Sequence, residues 1–181
     1  MKHEDAIELL RPAVGEAAGT TWADLGAGTG VFTRALAALV GPEGHVIAVD
    51  ADDHALSAVR AWALRSRDGP EVTVIHADVT RPLAPPPLDG VLMANTLHFV
   101  RDAASVLSLV ATYLRPGGRF VLVEYEGRRP GPWVPFPVSA GRFRELAAGA
   151  GLAPPEVVAT RPSAFGGTLY VACATRAGGG A

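Results

Sequence analysis

The chain has 181 residues, of which 49% are hydrophobic and 19% are charged, and its formal net charge is −2. This length suits one domain with a substantial core, and the composition excludes a disordered protein. The slight acidity argues against a nucleic-acid partner, which selects a basic face, and no apolar run reaches the ~18 residues of a membrane helix. The single cysteine, Cys173, excludes an internal disulfide. Because the first residues also do not resemble a secretory signal, we expect a cytoplasmic location.

Helix and strand patterns alternate along most of the chain. Helices are predicted from apolar residues at three- and four-residue spacing, and strands from short apolar or β-branched runs bounded by Gly and Pro. In chain order the patterns predict a helix over 4–14, a strand over 20–25, a helix over 30–40, a strand over 45–50, a helix over 52–67, strands over 71–76 and 91–94, a helix over 102–114, a strand over 119–124, a helix over 139–149, and strands over 156–160 and 168–174.

Proline and glycine mark the connections. The stretch 80–87 cannot be a regular helix, because Pro removes an amide donor and clashes with the preceding turn, so we expect a surface connection there. The two last strands are separated by a short Pro/Gly segment, which predicts an antiparallel hairpin. We expect residues 1–176 to form the single domain and residues 177–181 to be a disordered tail.

This order of elements predicts a doubly wound α/β fold. Strand–helix alternation with nearly continuous apolar strands indicates a mostly parallel sheet with helices on both faces. With the antiparallel C-terminal hairpin, the sheet has seven strands. Ligands of such sheets bind at the carboxyl ends of the strands, so the informative residues are those directly after each strand.

A glycine-rich bend follows the first strand, in the run Asp24-Leu25-Gly26-Ala27-Gly28-Thr29-Gly30. Alternating glycines allow a sharp turn and a close ligand approach, and the following helix start offers unpaired N–H groups. Both features favour a nucleotide-like ligand over a turn needed only for packing. The dinucleotide fingerprint does not fit, because Val31 stands where its third glycine is required, and the Gly-Lys-Ser/Thr ending of a phosphate loop is absent.

The spacing of this bend resembles motif I, Asp/Glu-x-Gly-x-Gly-x-Gly, of the class I S-adenosylmethionine-dependent methyltransferases. The resemblance covers nearly the whole chain, with its parts in the family's order. It continues through Asp50, Asp78, Ala94-Asn95, the run Leu114-Arg115-Pro116-Gly117-Gly118 and the terminal hairpin. Order and spacing together are typical of the superfamily and not of one substrate.

The resemblance implies a set of residues that bind S-adenosylmethionine. It places Asp24 near the cationic amino group of the methionine portion, Asp50 on the ribose hydroxyls, and Asp78 on the adenine amine. Asp24 and Asp78 have an alternative interpretation as ordinary turn or capping acceptors. The full predicted set is Asp24, Gly26, Ala27, Gly28, Thr29, Gly30, Asp50, Ala51, Asp78, Val79 and Asn95.

The acceptor is expected to meet the methyl group beyond the fourth strand. His98, in the loop there, is the predicted catalytic residue, since an imidazole with its ordinary pKa of ~6.5 can serve as a general base. The alternative is that His98 only lines the pocket. The predicted acceptor-pocket residues are Thr96, Tyr125, Trp133 and Phe136. The last two lie in the Pro-rich segment 132–137, which is either a wall over a flat or apolar acceptor or an ordinary packed connection.

We therefore expect methyl transfer from S-adenosylmethionine to a small-molecule acceptor by in-line displacement. We expect no metal, no nucleic-acid or membrane partner, and a monomer or homodimer. One alternative is an NAD(P)-dependent oxidoreductase on a similar sheet, against which the misplaced third glycine and the antiparallel end argue. The other is a non-catalytic S-adenosylmethionine-binding protein that has lost its acceptor site. The sequence leaves this second alternative open, because the superfamily has no obligatory catalytic residue.

Overall fold

The computed structural model describes residues 1–15, 20–66, 68–163 and 166–178. The helices in these ranges are α1 His3–Val14, α2 Val31–Val40, α3 Asp53–Ala63, α4 Ala103–Ala111 and α5 Ala140–Gly149. The strands are β1 Thr21–Leu25, β2 His45–Asp50, β3 Glu71–His76, β4 Leu88–Ala94, β5 Leu114–Glu126, β6 Glu156–Pro162 and β7 Thr168–Thr175. A 3-10 turn, Leu97–Phe99, joins β4 to α4.

The strands form one seven-stranded sheet in the order β3-β2-β1-β4-β5-β7-β6. The first five strands are parallel, and β7 runs antiparallel to both of its neighbours. The predicted doubly wound fold with an antiparallel terminal hairpin is therefore confirmed. The strand order reverses between β1 and β4, so the carboxyl ends of these two strands border the crevice where such folds bind ligands.

Helices cover both faces of the sheet, and the described residues form three apolar cores. α4 and α5 pack over the first core on one face, α1 and α2 pack over the second on the other, and α3 packs over a smaller third core. Trp22 is fully buried in the second core and lies beside Gly90 in the β1–β4 pairing. A side chain at position 90 would place Cβ 2.4 Å from the Trp22 ring, so this pairing needs a glycine.

The element boundaries differ from the predicted ones mainly where Gly or Pro lies at a strand end. β5 begins at Leu114 and runs through Pro116-Gly117-Gly118, whereas the sequence pattern predicts that the strand starts at residue 119. Gly117 has a φ of +77° and the β4–β5 register shifts between Leu88 and Gly90. The strand therefore continues across an irregularity, because a single left-handed glycine bends the backbone without ending the pairing.

The third helix is shorter than predicted. The apolar spacing predicts that Leu56, Val59 and either Leu64 or its neighbours are buried. α3 ends at Ala63; Leu56 and Val59 are fully buried in the third core, Trp62 packs against that core, and Leu64 is 82% exposed. Arg67, the predicted last residue of this helix, lies outside the described residues.

The connection before β4 is irregular. Residues 82–87 form neither helix nor strand, as their prolines predict. The predicted tail stays a prediction, since residues 179–181 lie outside the described residues. Of the described helices, not one is long and apolar enough to cross a bilayer.

Candidate active site

Hydrogen bonds join the glycine bend to the end of the neighbouring strand, β2. Gly26 and Ala27 donate their N–H groups to the Val49 carbonyl oxygen, over 2.8 and 3.0 Å. Gly28 donates its N–H to Asp50 Oδ2 over 2.7 Å. These bonds tie the connection between β1 and α2 to the last residues of β2, so the bend and the Asp50 carboxylate form one structural unit.

Each of the three glycines has a positive φ, but they meet different surroundings. A Cβ on Gly26 would lie 2.1 Å from Thr96 Oγ1, and one on Gly30 would lie 2.8 Å from Val59 Cγ2. A Cβ on Gly28 would meet no described heavy atom within 4 Å. Gly26 and Gly30 are therefore needed for packing, whereas the bend at Gly28 faces open space that a ligand can fill.

That open space is a cavity of about 630 Å³, here called the first cavity. Its volume lies within the range of small-molecule sites. It is lined by the bend, the start of α2, the ends of β4 and β5, Met1 before α1, the end of β6 with the residue that follows it, and one residue of β7. The lining residues are Met1, Gly26, Ala27, Gly28, Thr29, Val31, Phe32, Ala94, Asn95, Tyr125, Arg161, Pro162, Ser163 and Leu169.

Asp24 lies at the foot of the bend and is 1% exposed. Its Oδ2 accepts a hydrogen bond of 2.6 Å from Thr33 Oγ1, while Oδ1 has no hydrogen-bond partner among the described residues. Burial raises the pKa of Asp24 to about 7; the Thr33 hydroxyl opposes this rise, and the nearby Asp50 adds to it. A buried carboxylate with an unsatisfied oxygen favours a cation nearby.

Asp50 ends β2 with both carboxylate oxygens directed at backbone donors. In addition to the Gly28 bond on Oδ2, Oδ1 accepts the N–H of Asp52 over 2.8 Å. A carboxylate oxygen has two lone-pair sites, so each can accept one more hydrogen bond. Asp52 itself caps α3 by accepting the N–H of Ala55 over 3.0 Å, which leaves Asp50 free of the capping role.

Asn95 follows β4 in a left-handed conformation, with a φ of +54°. Its N–H donates to the Val123 carbonyl oxygen over 2.9 Å, and its Oδ1 is buried without a hydrogen-bond partner among the described residues. Among non-glycine residues, Asn tolerates this conformation best, and such positions cluster at functional sites. Asn95 and Tyr125 each line the first cavity and also a second one.

The second cavity has a volume of about 590 Å³. Aromatic side chains form much of its wall, and two of them, Phe99 and Trp133, are 55% and 84% exposed. Arg128 places its guanidinium 4.9 Å from the centre of the Tyr125 ring. The lining residues are Asn95, His98, Phe99, Tyr125, Arg128, Trp133 and Val134. An open, aromatic wall of this kind fits a flat apolar molecule.

A buried pair of ionisable side chains lies at this second cavity. His98 is 2% exposed and Glu124 is 0% exposed. His98 Nδ1 lies 2.6 Å from Glu124 Oε2, and the His98 backbone N–H donates to Glu124 Oε1 over 3.1 Å. An ionised carboxylate only accepts hydrogen bonds. With Glu124 ionised, Nδ1 carries the ring proton and Nε2 is the nitrogen that can take another.

Comparison with known proteins identifies the family. Residues 23–118, more than half of the chain, match the model of a methyltransferase domain. The chain belongs to this methyltransferase-domain family. The predicted membership of the S-adenosylmethionine-dependent methyltransferases is thereby confirmed, and methyl transfer from S-adenosylmethionine is the activity of that superfamily.

The curated relatives of this chain include methyltransferases that are named for quinone biosynthesis. The ubiquinone/menaquinone biosynthesis C-methyltransferase UbiE of Ectopseudomonas mendocina is 32% identical over 109 residues, which are 60% of this chain and 42% of that protein. This chain spans less than half the length of the curated quinone methyltransferases it matches.

Solved structures support the fold. An arsenic(III) S-adenosylmethionine methyltransferase from Chlamydomonas reinhardtii aligns with a TM-score of 0.75 and 21% identity, covering 92% of this chain and 66% of that one. The 1,6-didemethyltoxoflavin-N1-methyltransferase of Burkholderia thailandensis aligns with a TM-score of 0.74 and 22% identity, covering 97% and 78%.

The methyltransferase domain gathers most of the predicted cofactor residues at one place. Gly26, Ala27, Gly28, Thr29 and Asn95 line the first cavity. Asp24 lies buried at the foot of the bend. Asp50, at the end of β2, accepts a hydrogen bond from the bend through the Gly28 N–H. Ala51 is exposed, and its carbonyl oxygen lies 3.0 Å from His76 Nε2. Gly30 closes the bend by donating its N–H to the Ala27 carbonyl oxygen over 2.9 Å.

Two predicted adenine contacts lie outside the lining of both cavities. Asp78 is exposed, and its Oδ1 accepts both the hydroxyl and the N–H of Thr80, over 2.7 and 2.8 Å. These two bonds hold the pKa of Asp78 below its usual value. Val79 is partly buried against the core. The turn interpretation of Asp78 is thus present in the structure, and its adenine contact stays a prediction.

The predicted acceptor-pocket residues separate into two groups. Tyr125 and Trp133 line the second cavity, as does His98. Thr96 instead supports the bend, with Oγ1 3.4 Å from the Gly26 carbonyl oxygen. Phe136 lies under the Arg101 guanidinium at 5.6 Å, in a separate small cavity.

Sequence reasoning missed several residues that line the two cavities, among them Phe99 and Arg161. Phe99 follows His98 directly in the chain, and the presence of an aromatic residue in that loop could have indicated a role in the cavity. The sequence offers Glu124, at the end of the fifth strand, either as a group that orients the acceptor or as a structural residue, but it does not indicate the contact with His98, which is 26 residues away in the chain. Arg161 lies in β6, far from every recognised motif, and no sequence signal marks it.

Proposed function

We propose that this chain is an S-adenosylmethionine-dependent methyltransferase that methylates a small-molecule acceptor. The observation that carries the proposal is the meeting of the two cavities at Asn95 and Tyr125. One cavity is bounded by the glycine bend and the other by His98 and exposed aromatic side chains. A donor in the first and an acceptor in the second come into contact at the shared wall, as direct group transfer requires.

The residues of the first cavity fit S-adenosylmethionine. The open side of Gly28 leaves room for the adenosyl group, and the remaining lone pairs of Asp50 can accept the two ribose hydroxyls. The unsatisfied Oδ1 of Asp24 provides negative charge beneath the bend. Asn95 Oδ1, also unsatisfied among the described residues, offers a further acceptor where the two cavities meet.

When bound, S-adenosylmethionine supplies a methyl group on a positively charged sulfur. The chain contributes mainly alignment and exclusion of water, which together can lower a barrier by about 7–11 kcal/mol. His98 adds proton transfer for an acceptor that must lose a proton: Glu124 holds Nδ1, and Nε2 accepts the proton. Glu124 is buried and bonded to His98, so it acts as a positioning residue and does not contact the acceptor.

The second cavity supports a planar ring compound as the acceptor. Its aromatic wall offers stacking surfaces to a flat molecule, and its volume admits one of modest size. Two similar proteins act, by their names, in quinone biosynthesis and on 1,6-didemethyltoxoflavin, which are ring compounds. We propose a ring carrying an ionisable hydroxyl or N–H, the group that His98 can deprotonate.

Binding calorimetry tests the proposal and separates it from the oxidoreductase alternative. The wild-type chain is expected to bind S-adenosylmethionine and S-adenosylhomocysteine and to give no heat with NAD⁺. Binding of NAD⁺ alone would reverse the assignment. A methyl-transfer screen with ring compounds then decides against the non-catalytic alternative if a methylated product appears.

Asp50 provides the residue-specific test. Asp50→Ala removes the predicted ribose acceptor and is expected to weaken binding of S-adenosylmethionine by about one to two orders of magnitude, from the ~1.5–3 kcal/mol of a charge-assisted hydrogen bond. Asp53→Asn is the matched control, because Asp53 is a nearby exposed acid that pairs with Arg60 over 2.6 Å and lines neither cavity. Equal affinity in the wild type and Asp50→Ala would refute the role of Asp50.

We also propose that the protein acts in the cytoplasm as a monomer or homodimer without a nucleic-acid partner. The single cysteine, the half-buried Cys173, is consistent with a protein of a reducing compartment. The net charge of −2 argues against a nucleic-acid partner. Light scattering of the purified chain, with and without nucleic acid, measures both properties; a stable higher oligomer or a nucleoprotein complex would contradict them.

A further inference from the structure

One charged side chain projects into the wall of the first cavity. Among the described residues that line it, Arg161 is the one with a full side-chain charge. Arg161 lies near the end of β6, next to Pro162 and Ser163, which line the same wall. Its strand partner in β7, Leu169, lines the cavity as well. A cationic side chain in a wall of mostly apolar groups is placed to select an anionic group.

The position of Arg161 is fixed by an ion pair with the first helix. Its Nη2 lies 2.9 Å from Asp5 Oδ2, and the two side chains are 39% and 30% exposed. A guanidinium offers five N–H donors in a planar fork, so one carboxylate does not use all of them. The Asp5 contact therefore orients the fork while leaving donors for a second carboxylate at the cavity.

We infer that Arg161 binds the α-carboxylate of S-adenosylmethionine. This inference rests on the proposed function and assigns the amino-acid end of the ligand to the wall formed by β6. That end carries one ammonium and one carboxylate. Asp24, buried beneath the bend, and Arg161, at the wall, carry the charges that complement this ammonium and this carboxylate. Arg161 then discriminates the full cofactor from nucleosides that lack a carboxylate.

The test compares two ligands that differ in the carboxylate alone. Calorimetry measures the affinity of S-adenosylmethionine and of decarboxylated S-adenosylmethionine for the wild type and for Arg161→Gln. Arg161→Gln is expected to lower the affinity for S-adenosylmethionine by about tenfold or more. The affinity for the decarboxylated ligand is expected to stay within about twofold, because the charge-assisted bond is lost only where a carboxylate is present. An equal loss for both ligands, or no loss for either, would overturn the inference.

Asp5→Asn is the matched control for the ion pair. It removes the Asp5 charge but keeps Arg161 and one side-chain oxygen that can still accept a hydrogen bond from it and orient it, so the affinity for S-adenosylmethionine is expected to stay near the wild-type value. If Asp5→Asn reproduces the loss seen in Arg161→Gln, then Arg161 only ties β6 to α1, and the inference is wrong. Thermal melting of all variants confirms that each is folded. A wild type that binds neither ligand would refute the proposed function itself, whereas tight binding that is insensitive to Arg161→Gln refutes only this inference.

Discussion

At the scale of single residues, the protonation of Asp24 affects both the stability of the fold and the charge at the candidate site. Burial raises its pKa to about 7, far above the 3.8 of a free aspartate. Between these two values the folded chain binds more protons than the unfolded chain, so Asp24 makes the fold less stable as the pH rises. A cation bound near Oδ1 stabilises the ionised form and opposes this loss.

This sign gives a prediction for the ligand-free protein. Relative to Asp24→Asn, which has no charge to bury, the wild type is expected to lose about 2–3 kcal/mol of unfolding free energy between pH 5 and pH 8. Urea unfolding of both proteins at the two pH values measures the difference. Parallel stability curves for the wild type and Asp24→Asn would show that Asp24 is ionised throughout, and would contradict the raised pKa.

The His98–Glu124 pair gives a second prediction at this scale. For an acceptor that loses a proton, His98→Gln is expected to lower kcat by about 10²–10⁴-fold and to leave the affinity for S-adenosylmethionine unchanged. Glu124→Gln, which has nearly the same shape, is expected to lower kcat by a smaller factor. Because Glu124 acts through His98, the double variant is expected to be no slower than His98→Gln alone.

Kinetics of the two single variants and the double variant form the measurement. If the two effects on kcat simply multiply, Glu124 acts independently of His98, and its positioning role is wrong. If His98→Gln keeps the wild-type kcat, His98 is not a general base and only lines the pocket.

At the scale of elements, the glycine bend separates packing from ligand binding. Gly26→Ala combines a positive φ with a Cβ 2.1 Å from Thr96, whereas Gly28→Ala has a positive φ and an open side. We expect Gly28→Ala to cost about 1–2 kcal/mol of stability from the backbone conformation, and Gly26→Ala to cost distinctly more.

The expected effects on ligand affinity distinguish the two positions further. Gly28→Ala places a methyl group in the first cavity, so it is expected to weaken S-adenosylmethionine binding by more than its small stability loss accounts for. Denaturant titration and calorimetry on the two variants provide both quantities. A Gly28→Ala variant with wild-type affinity would show that the ligand does not approach the bend there.

The strands could be predicted from sequence better than the ends of the elements. The run from His45 to Asp50 is apolar and bounded by Gly44, so its boundaries agree with the structure. The end of α3 was misplaced, because Leu64 continues the apolar spacing but lies beyond the last residue that contacts the core. Apolar spacing identifies a helix, whereas tertiary contacts decide where it stops.

At the scale of the whole molecule, the fold and the placement of the glycine bend beside Asp50 could be predicted because their signals are local. The bend and Asp50 each lie directly after a strand, and the topology brings the strand ends together. The second cavity was only partly predictable. Glu124 meets His98, and Arg161 meets Asp5, across long stretches of chain, and no local pattern marks such contacts.

A crystal structure with bound S-adenosylhomocysteine would show directly whether the glycine bend and Asp50 hold the cofactor. We expect the ligand along the bend at Gly28, its ribose hydroxyls on Asp50, and its sulfur at the wall formed by Asn95 and Tyr125, directed toward the second cavity. A ligand bound elsewhere, or one whose sulfur faces away from the second cavity, would contradict the account.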